Sequence, residues 1–192
     1  MGQREILLLV TQLLSKHRVP YLLTGSFAVS YYGFPRATHD IDFIIEVVEN
    51  DEEKIIRVIK DLGGDFIYDN KDVKDAISKL SQFNIYHPET GIKIDFWLNK
   101  RDDFETKKFK RGKKIRLFGK KISIITAEDL LLTKLLWCKK VRSERHMGDC
   151  TGIWKIQKEN LDRGYLMSWA EKLGVEDLLA KIRRESETVE KM

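Results

Sequence analysis

Apolar side chains recur at helical spacing at the start of the chain, where Ile6, Leu9, Val10, Leu13 and Leu14 form one stripe within residues 3–17. Val19-Pro20 ends that helix, and the apolar run Tyr21-Leu22-Leu23 before Gly25 predicts a short buried strand. Phe27 to Tyr32 suits a helix, stopped by Gly33 and Pro35. Ile41 to Val48 is dense in Ile, Val and Phe, the composition of a central strand. Asp51 to Leu62 returns to helical spacing, with Ile55, Ile56, Ile59 and Leu62 on one face and Gly63-Gly64 as the stop. Val73, Ile77 and Leu80 predict a further short helix over residues 71–80.

Two hairpins follow. Phe83 to His87 and Ile92 to Leu98 flank the turn Pro88-Glu89-Thr90-Gly91, and Ile115 to Phe118 and Ile122 to Ile125 flank Gly119-Lys120. Thr126 with Asp129 three residues on resembles a capping box. From Ala127 the pattern is helical, with breaks expected near Gly148, Gly152, Gly164 and Gly174. No repeat and no low-complexity tract interrupts this order, a mixed α/β portion followed by a helical C-terminal third.

The 192 residues, 42% hydrophobic and 34% charged, suit one domain with a helical appendage and exclude wholesale disorder. The longest apolar run, Ile6 to Val10, is far short of the roughly 20 residues that cross a bilayer. Position 6 is Ile, so the myristoylation pattern fails, and Cys138 and Cys150 form no zinc or CxxC spacing. The expectation is a reduced cytoplasmic protein with no membrane association. The net charge of +5 is unevenly spread: residues 100–121 carry eleven Lys or Arg against three Asp or Glu. The densest part, Lys107 to Lys114, within a basic segment 107–116, reads either as a surface for a polyanion or as a solvated, turn-containing loop that guards an edge strand.

Three short motifs carry candidate chemistry. Thr24-Gly25-Ser26 stands between a buried strand and a helix, where glycine permits close backbone approach and a helix N-terminus offers N–H groups to a phosphate. It serves equally as an ordinary helix entry. Asp40-Ile41-Asp42 starts the second strand, so alternation projects both carboxylates from one face. At about 6 Å apart they repel by about 3 kcal/mol at an effective dielectric near 20, a cost that a hard divalent cation removes. An exposed strand end would tolerate them without one. Asp95, in Lys93-Ile94-Asp95-Phe96, sits in an apolar strand and needs a partner, either a buried arginine or a metal.

Taken together, Leu22-Leu23-Thr24-Gly25-Ser26, Asp40-Ile41-Asp42-Phe43 and Ile94-Asp95-Phe96 resemble the signature of the nucleotidyltransferase fold of the DNA polymerase β superfamily. The stretch from Gly25 through Pro35-Arg36-Ala37-Thr38-His39 to Asp42 looks like the minimal prokaryotic nucleotidyltransferases of the AbiEii toxin type. The resemblance covers about residues 19–98. It implies an α/β (α+β) fold with a mixed sheet flanked by helices, a nucleotidyltransferase core over residues 1–125 and a C-terminal helical region over 126–192. It implies transfer of a nucleoside monophosphate from an NTP to an RNA or protein hydroxyl with Mg²⁺ or Mn²⁺, in a toxin–antitoxin or abortive-infection setting that adds an antitoxin as an expected partner. Gly25, Ser26, Arg36 and Lys134 would bind the nucleotide, and Asp40, Asp42 and Asp95 would hold the metals, Asp95 also helping to deprotonate the acceptor. Asp149 resembles a late acidic motif of the same group.

Two other functions compete: a non-catalytic nucleotide- or partner-binding module of the same fold, and an antibiotic-modifying nucleotidyltransferase. The local excess of positive charge would repel aminoglycosides but not weakly charged lincosamides. No nucleophile elbow and no P-loop is present. His17, His87 and His146 lack partners at metal spacing, and His39, next to Asp40, reads as a neighbour of the site rather than a ligand. Trp137, Trp154 and Trp169 on helical stretches read as core, and Cys138 as buried and inert.

Overall fold

The computed structural model describes residues 1–47 and 52–188. The expected strand end at Val48 and helix start at Asp51 lie outside the described residues. Two compact units form: one from Met1–Ser26 and Ala37–Ile125, the other from Phe27–Arg36 and the chain from Thr126 onward.

The first unit contains a six-stranded mixed sheet. Its strands are β1 (Tyr21–Leu23), β2 (Asp40–Ile45), β3 (Gln82–His87), β4 (Ile92–Leu98), β5 (Lys113–Leu117) and β6 (Lys120–Ile124), in the order β3-β4-β2-β1-β6-β5. The pairs β2–β4 and β1–β6 are parallel and the others antiparallel. This is the mixed α/β architecture that the motif order predicts. Helices α1 (Gln3–Lys16), α3 (Glu52–Leu62), α4 (Asn70–Lys79) and α5 (Asp103–Arg111) belong to the same unit, and α2 (Gly25–Tyr32) starts in it. Helix α1 packs on α3, and α4 on β3.

The register of the central strands follows from aromatic packing on one face. Phe43 of β2 lies opposite Phe96 of β4, which lies opposite Phe83 of β3. The three rings stack, with centroids 5.8 Å and 4.9 Å apart at 19° in each case. Ile41, Ile45 and Ile94 on the same face are fully buried. A slip by one residue would expose this whole set, so the apolar face sets the register for both faces. The other face of β2 and β4 then carries Asp40 opposite Lys93 and Asp42 opposite Asp95.

Two expectations fail here. The segment from Lys107 to Arg111 is helix α5, not a loop. Asp102 caps it by accepting from the Glu105 N–H at 2.8 Å, acidic residues fill its first turn and Lys108, Lys110 and Arg111 its last. That charge order suits the helix dipole, while its sparse apolar stripe hid the helix from periodicity. Lys108 is not part of a basic surface: it is 2% exposed, and its Nζ donates to Glu105 Oε1 at 2.6 Å.

The second unit consists of most of α2 with α6 (Ala127–Lys140), α7 (Glu144–Gln157), α8 (Arg163–Leu173) and α9 (Glu176–Thr188). Thr126 caps α6, its Oγ1 accepting from Asp129 N–H at 3.2 Å and donating to Asp129 Oδ2 at 2.6 Å. Of the four glycine breaks expected, only Gly174 ends a helix, with φ +61. Gly148 and Gly152 lie inside α7, whereas the break expected near Gly164 falls just before it, between Gln157 and Arg163; Ser143 and Asp162 cap α7 and α8. Gly152 is there for closeness, since a Cβ would come within 2.9 Å of the Phe34 ring. Trp154 is buried, but Trp137 is 40% exposed and Trp169 is half-buried, so two of the three tryptophans are not enclosed in a core. Cys138 and Cys150 are both buried, and burial pushes both thiols up.

Candidate active site

The acidic face of the first unit is built by parallel pairing. Side chains alternate along a strand, so Asp40 and Asp42 share a face, and parallel register sets Asp95 directly opposite Asp42. Adjacent strands lie about 4.8 Å apart, which brings these two carboxylates together from positions far apart in sequence. Among the described residues no group of three or more His, Cys, Asp or Glu side chains is placed to hold a metal ion.

The partner of Asp95 is neither a buried arginine nor another acid. It is Lys93, two residues earlier on the same strand and therefore on the same face. Lys93 Nζ lies 2.8 Å from Asp95 Oδ2 and 3.9 Å from Asp40 Oδ1. The hydrogen bond to Asp95 and the charges of Asp95, Asp40 and Asp42 raise the lysine's pKa against the opposing effect of partial burial. The Asp95 side chain is 12% exposed, whereas Lys93 and Asp40 are each more than two-fifths exposed. The sequence signal for Lys93 is its i, i+2 spacing from Asp95 on a strand, which puts both side chains on one face.

Gly25 closes one end of this face. Its φ is +60, and a Cβ added there would fall 1.9 Å from Asp42 Oδ2, so no other residue fits beside Asp42 without displacement. Thr24 N–H donates to the Asp42 carbonyl at 2.9 Å. Ser26 Oγ donates to Thr38 Oγ1 at 2.8 Å, and Thr38 Oγ1 accepts from the Asp40 N–H at 3.1 Å. The Gly-Ser turn is thus tied through Thr38 to the start of β2. His39 is exposed beside it, and its carbonyl accepts from the Lys93 N–H at 3.1 Å.

The facing carboxylates of Asp42 and Asp95 are hard oxygen donors, and Mg²⁺ or Mn²⁺ is commonly held by one or two carboxylates plus substrate phosphates. The chemistry of the donor set and the absence of any side chain at Gly25 beside Asp42 both fit such an ion arriving with a nucleotide.

Arg36, Lys134 and Asp149 form a second cluster, inside the second unit. Arg36 grips Asp149 bidentately, Nε to Oδ1 at 2.9 Å and Nη2 to Oδ2 at 3.1 Å. Lys134 Nζ donates to Asp149 Oδ2 at 2.8 Å, with both side chains almost wholly buried. Two cations thus share one carboxylate, and Arg36 Nη1 is buried with no hydrogen-bond partner. Burial opposes the Asp149 charge, but the bonds and charges of Arg36 and Lys134 outweigh it and hold the carboxyl below the usual range. His146, one turn earlier on α7, is pushed down by burial and by Lys134.

No protein-family model and no curated protein sequence matches the chain. Its fold is nevertheless that of nucleotidyltransferases. The antibiotic-resistance factor ANT(2'')-Ia superposes with a TM-score of 0.56 at 12% identity, over 98% of this chain and 95% of that one. The lincosamide antibiotic adenylyltransferase LnuA, solved with lincomycin bound, gives 0.55 at 16% identity, over 81% of this chain and 98% of that one. An antigenic nucleotidyltransferase-like protein from Paracoccidioides brasiliensis gives 0.54 at 14% identity, over 93% and 91%. Among the described residues no helix is long and apolar enough to cross a membrane.

Proposed function

We propose that this protein is a metal-dependent nucleotidyltransferase that moves a nucleoside monophosphate from an NTP to a hydroxyl acceptor. What carries the reading is the pairing of Asp42 with Asp95 across two parallel strands, with Asp40 on the same face and Gly25 against Asp42. Asp40, Asp42 and Asp95 would hold Mg²⁺ or Mn²⁺, which when bound stabilises charge on the α-phosphoryl oxygens and the leaving pyrophosphate. The acceptor oxygen bonds to the α-phosphorus as the bond to pyrophosphate breaks. Asp95 takes the acceptor's proton, a role open to a carboxylate within hydrogen-bond reach of the hydroxyl. Gly25 and Ser26, at the N-terminus of α2, bind the terminal phosphates through their backbone N–H groups, since the Ser26 hydroxyl already donates to Thr38. Nucleotide binding by Arg36 and Lys134 comes from the AbiEii-like motif alone; within the second unit Asp149 holds both side chains in place.

Two acceptor classes have support. The exposed Lys107, Lys110, Lys113, Lys114 and Arg116, with Lys120 and Lys121, favour a polyanion such as RNA. An RNA or protein hydroxyl as acceptor, a toxin or abortive-infection role and an antitoxin partner all accompany the AbiEii-like motif. The likeness to ANT(2'')-Ia, also solved in complex with adenylyl-2''-tobramycin, and to LnuA supports a small antibiotic instead. The test is incubation with each α-labelled NTP and Mg²⁺, offering RNA, cell protein, a lincosamide and an aminoglycoside in separate reactions. Label on one acceptor assigns the class. No label with any acceptor or with cell extract would leave the non-catalytic module of the same fold.

A further inference from the structure

The proposed reaction leaves one charged residue on the acidic face without a role. Lys93 stands among all three carboxylates, with its Nζ 2.8 Å from Asp95 and 3.9 Å from Asp40. Its position is no accident of a flexible surface chain: register places it opposite Asp40, and strand alternation aims it the same way as Asp95. A lysine at the tip of a loop would not be fixed in this way. Three carboxylates alone would repel one another, and one ammonium offsets part of that repulsion.

We propose that Lys93 is a built-in counter-cation that competes with the divalent metal for Asp95 and Asp40, so that the metal is held tightly only when it arrives with the nucleotide. This rests on the nucleotidyltransferase reading above and adds a positioning residue to it. The reasoning is electrostatic. An ammonium bonded to Asp95 occupies one ligand oxygen and repels a second cation, which weakens metal binding by the free protein. An incoming polyphosphate changes the balance, because its oxygens offer the ammonium another partner and also coordinate the metal. The four-carbon stem and the two-fifths exposure of Lys93 allow its head to leave Asp95 without moving the strand. The consequence is selectivity: the free protein does not commit its carboxylates to a metal that has no substrate with it.

The test is Mn²⁺ affinity measured by electron paramagnetic resonance, which counts free Mn²⁺, without nucleotide and then with a non-hydrolysable NTP analogue. Lys93→Met and, as a more polar second variant, Lys93→Gln are compared with wild type, with thermal melts to establish that each is folded. Without nucleotide both should bind Mn²⁺ at least about tenfold more tightly than wild type. Lys93→Arg keeps the charge and should stay near wild type. With the analogue present the gap should shrink to about threefold or less. Asp42→Asn separates this inference from the reading beneath it. If Asp42→Asn abolishes Mn²⁺ binding while Lys93→Met and Lys93→Gln bind no more tightly than wild type, the counter-cation role is wrong and the metal site stands. If Asp42→Asn binds Mn²⁺ as wild type does, both fall.

Discussion

The Cβ that Gly25 lacks would lie 1.9 Å from Oδ2 of Asp42, so the glycine of the first motif and the second aspartate of the next are in direct contact. In the proposed reaction that contact would let the Gly-Ser turn and the carboxylates act on one ligand, and it is easily broken. Gly25→Ala introduces both a steric clash and a non-glycine residue at φ +60. It should cost at least about 2 kcal/mol of stability. NMP transfer should fall at least about tenfold, because Asp42 must move. Thermal melts and transfer rates on this one variant check both halves; a stable and fully active Gly25→Ala protein would mean that the contact is dispensable.

The buried trio of Arg36, Lys134 and Asp149 makes a different kind of prediction. Asp149→Asn leaves two cations without their shared carboxylate, one of them on a side chain that is 5% exposed. Removing one partner of a buried ion group is among the more damaging substitutions, so unfolding free energy should drop by about 3 kcal/mol. Chemical denaturation measures it. A change below about 1 kcal/mol would mean that water already screens the cluster.

The same cluster gives the second unit a pH dependence of fixed sign. His146 has its pKa lowered below the ordinary 6.5 by burial and Lys134, so the unfolded chain takes up the proton first as pH falls. Stability should therefore decline from about pH 6.5 downward. Asp149, held below the ordinary 3.8, keeps its contribution above that pH and loses it only in stronger acid. Melting temperature recorded from pH 7.5 to pH 5 should fall in wild type and fall less in His146→Gln. A flat wild-type profile over that range would contradict the burial of a neutral imidazole.

Much of this was legible in the sequence, for identifiable reasons. The strands around Leu22, Phe43 and Phe96 are rich in apolar residues, and period-two alternation alone puts Asp40 and Asp42 on one face. That Asp95 joins Asp40 and Asp42 came with the resemblance; its exact register opposite Asp42 was not legible, because it depends on Phe43, Phe83 and Phe96 stacking across three strands. Helix α5 was missed because only Phe104 and Lys108 of its nine residues are buried, leaving too narrow a stripe to show as periodicity. Gly148 and Gly152 misled for the opposite reason: glycine is read as a break, yet Gly152 is in α7 to admit Phe34. Lys93 carries no signal of its own in the motif, yet strand alternation puts it on the same face as Asp95.

The corrected basic surface changes which lysines should be tested. Lys108 is buried against Glu105 and belongs to the fold. The quadruple charge reversal of Lys107, Lys110, Lys114 and Arg116 to Glu alters only exposed positions. If RNA is the acceptor, wild-type binding should weaken steeply as salt rises, and the reversed protein should lose binding while melting normally. Undiminished RNA binding by that variant would assign these residues to solubility.

The claim that Asp40, Asp42 and Asp95 form a nucleotidyl-transfer centre is tested most directly by the NMP-transfer rate of Asp42→Asn and Asp95→Asn proteins, measured with labelled NTP and Mg²⁺ beside thermal melts of the same samples. Each substitution removes one negative charge from a face where carboxylates crowd, so both variants should fold; Asp95→Asn loses only a pair with a partly exposed lysine. The account expects transfer to fall at least about a hundredfold in each, comparable with the loss of one preorganised electrostatic group from a catalytic site. Wild-type transfer rates in a folded Asp95→Asn protein would contradict it.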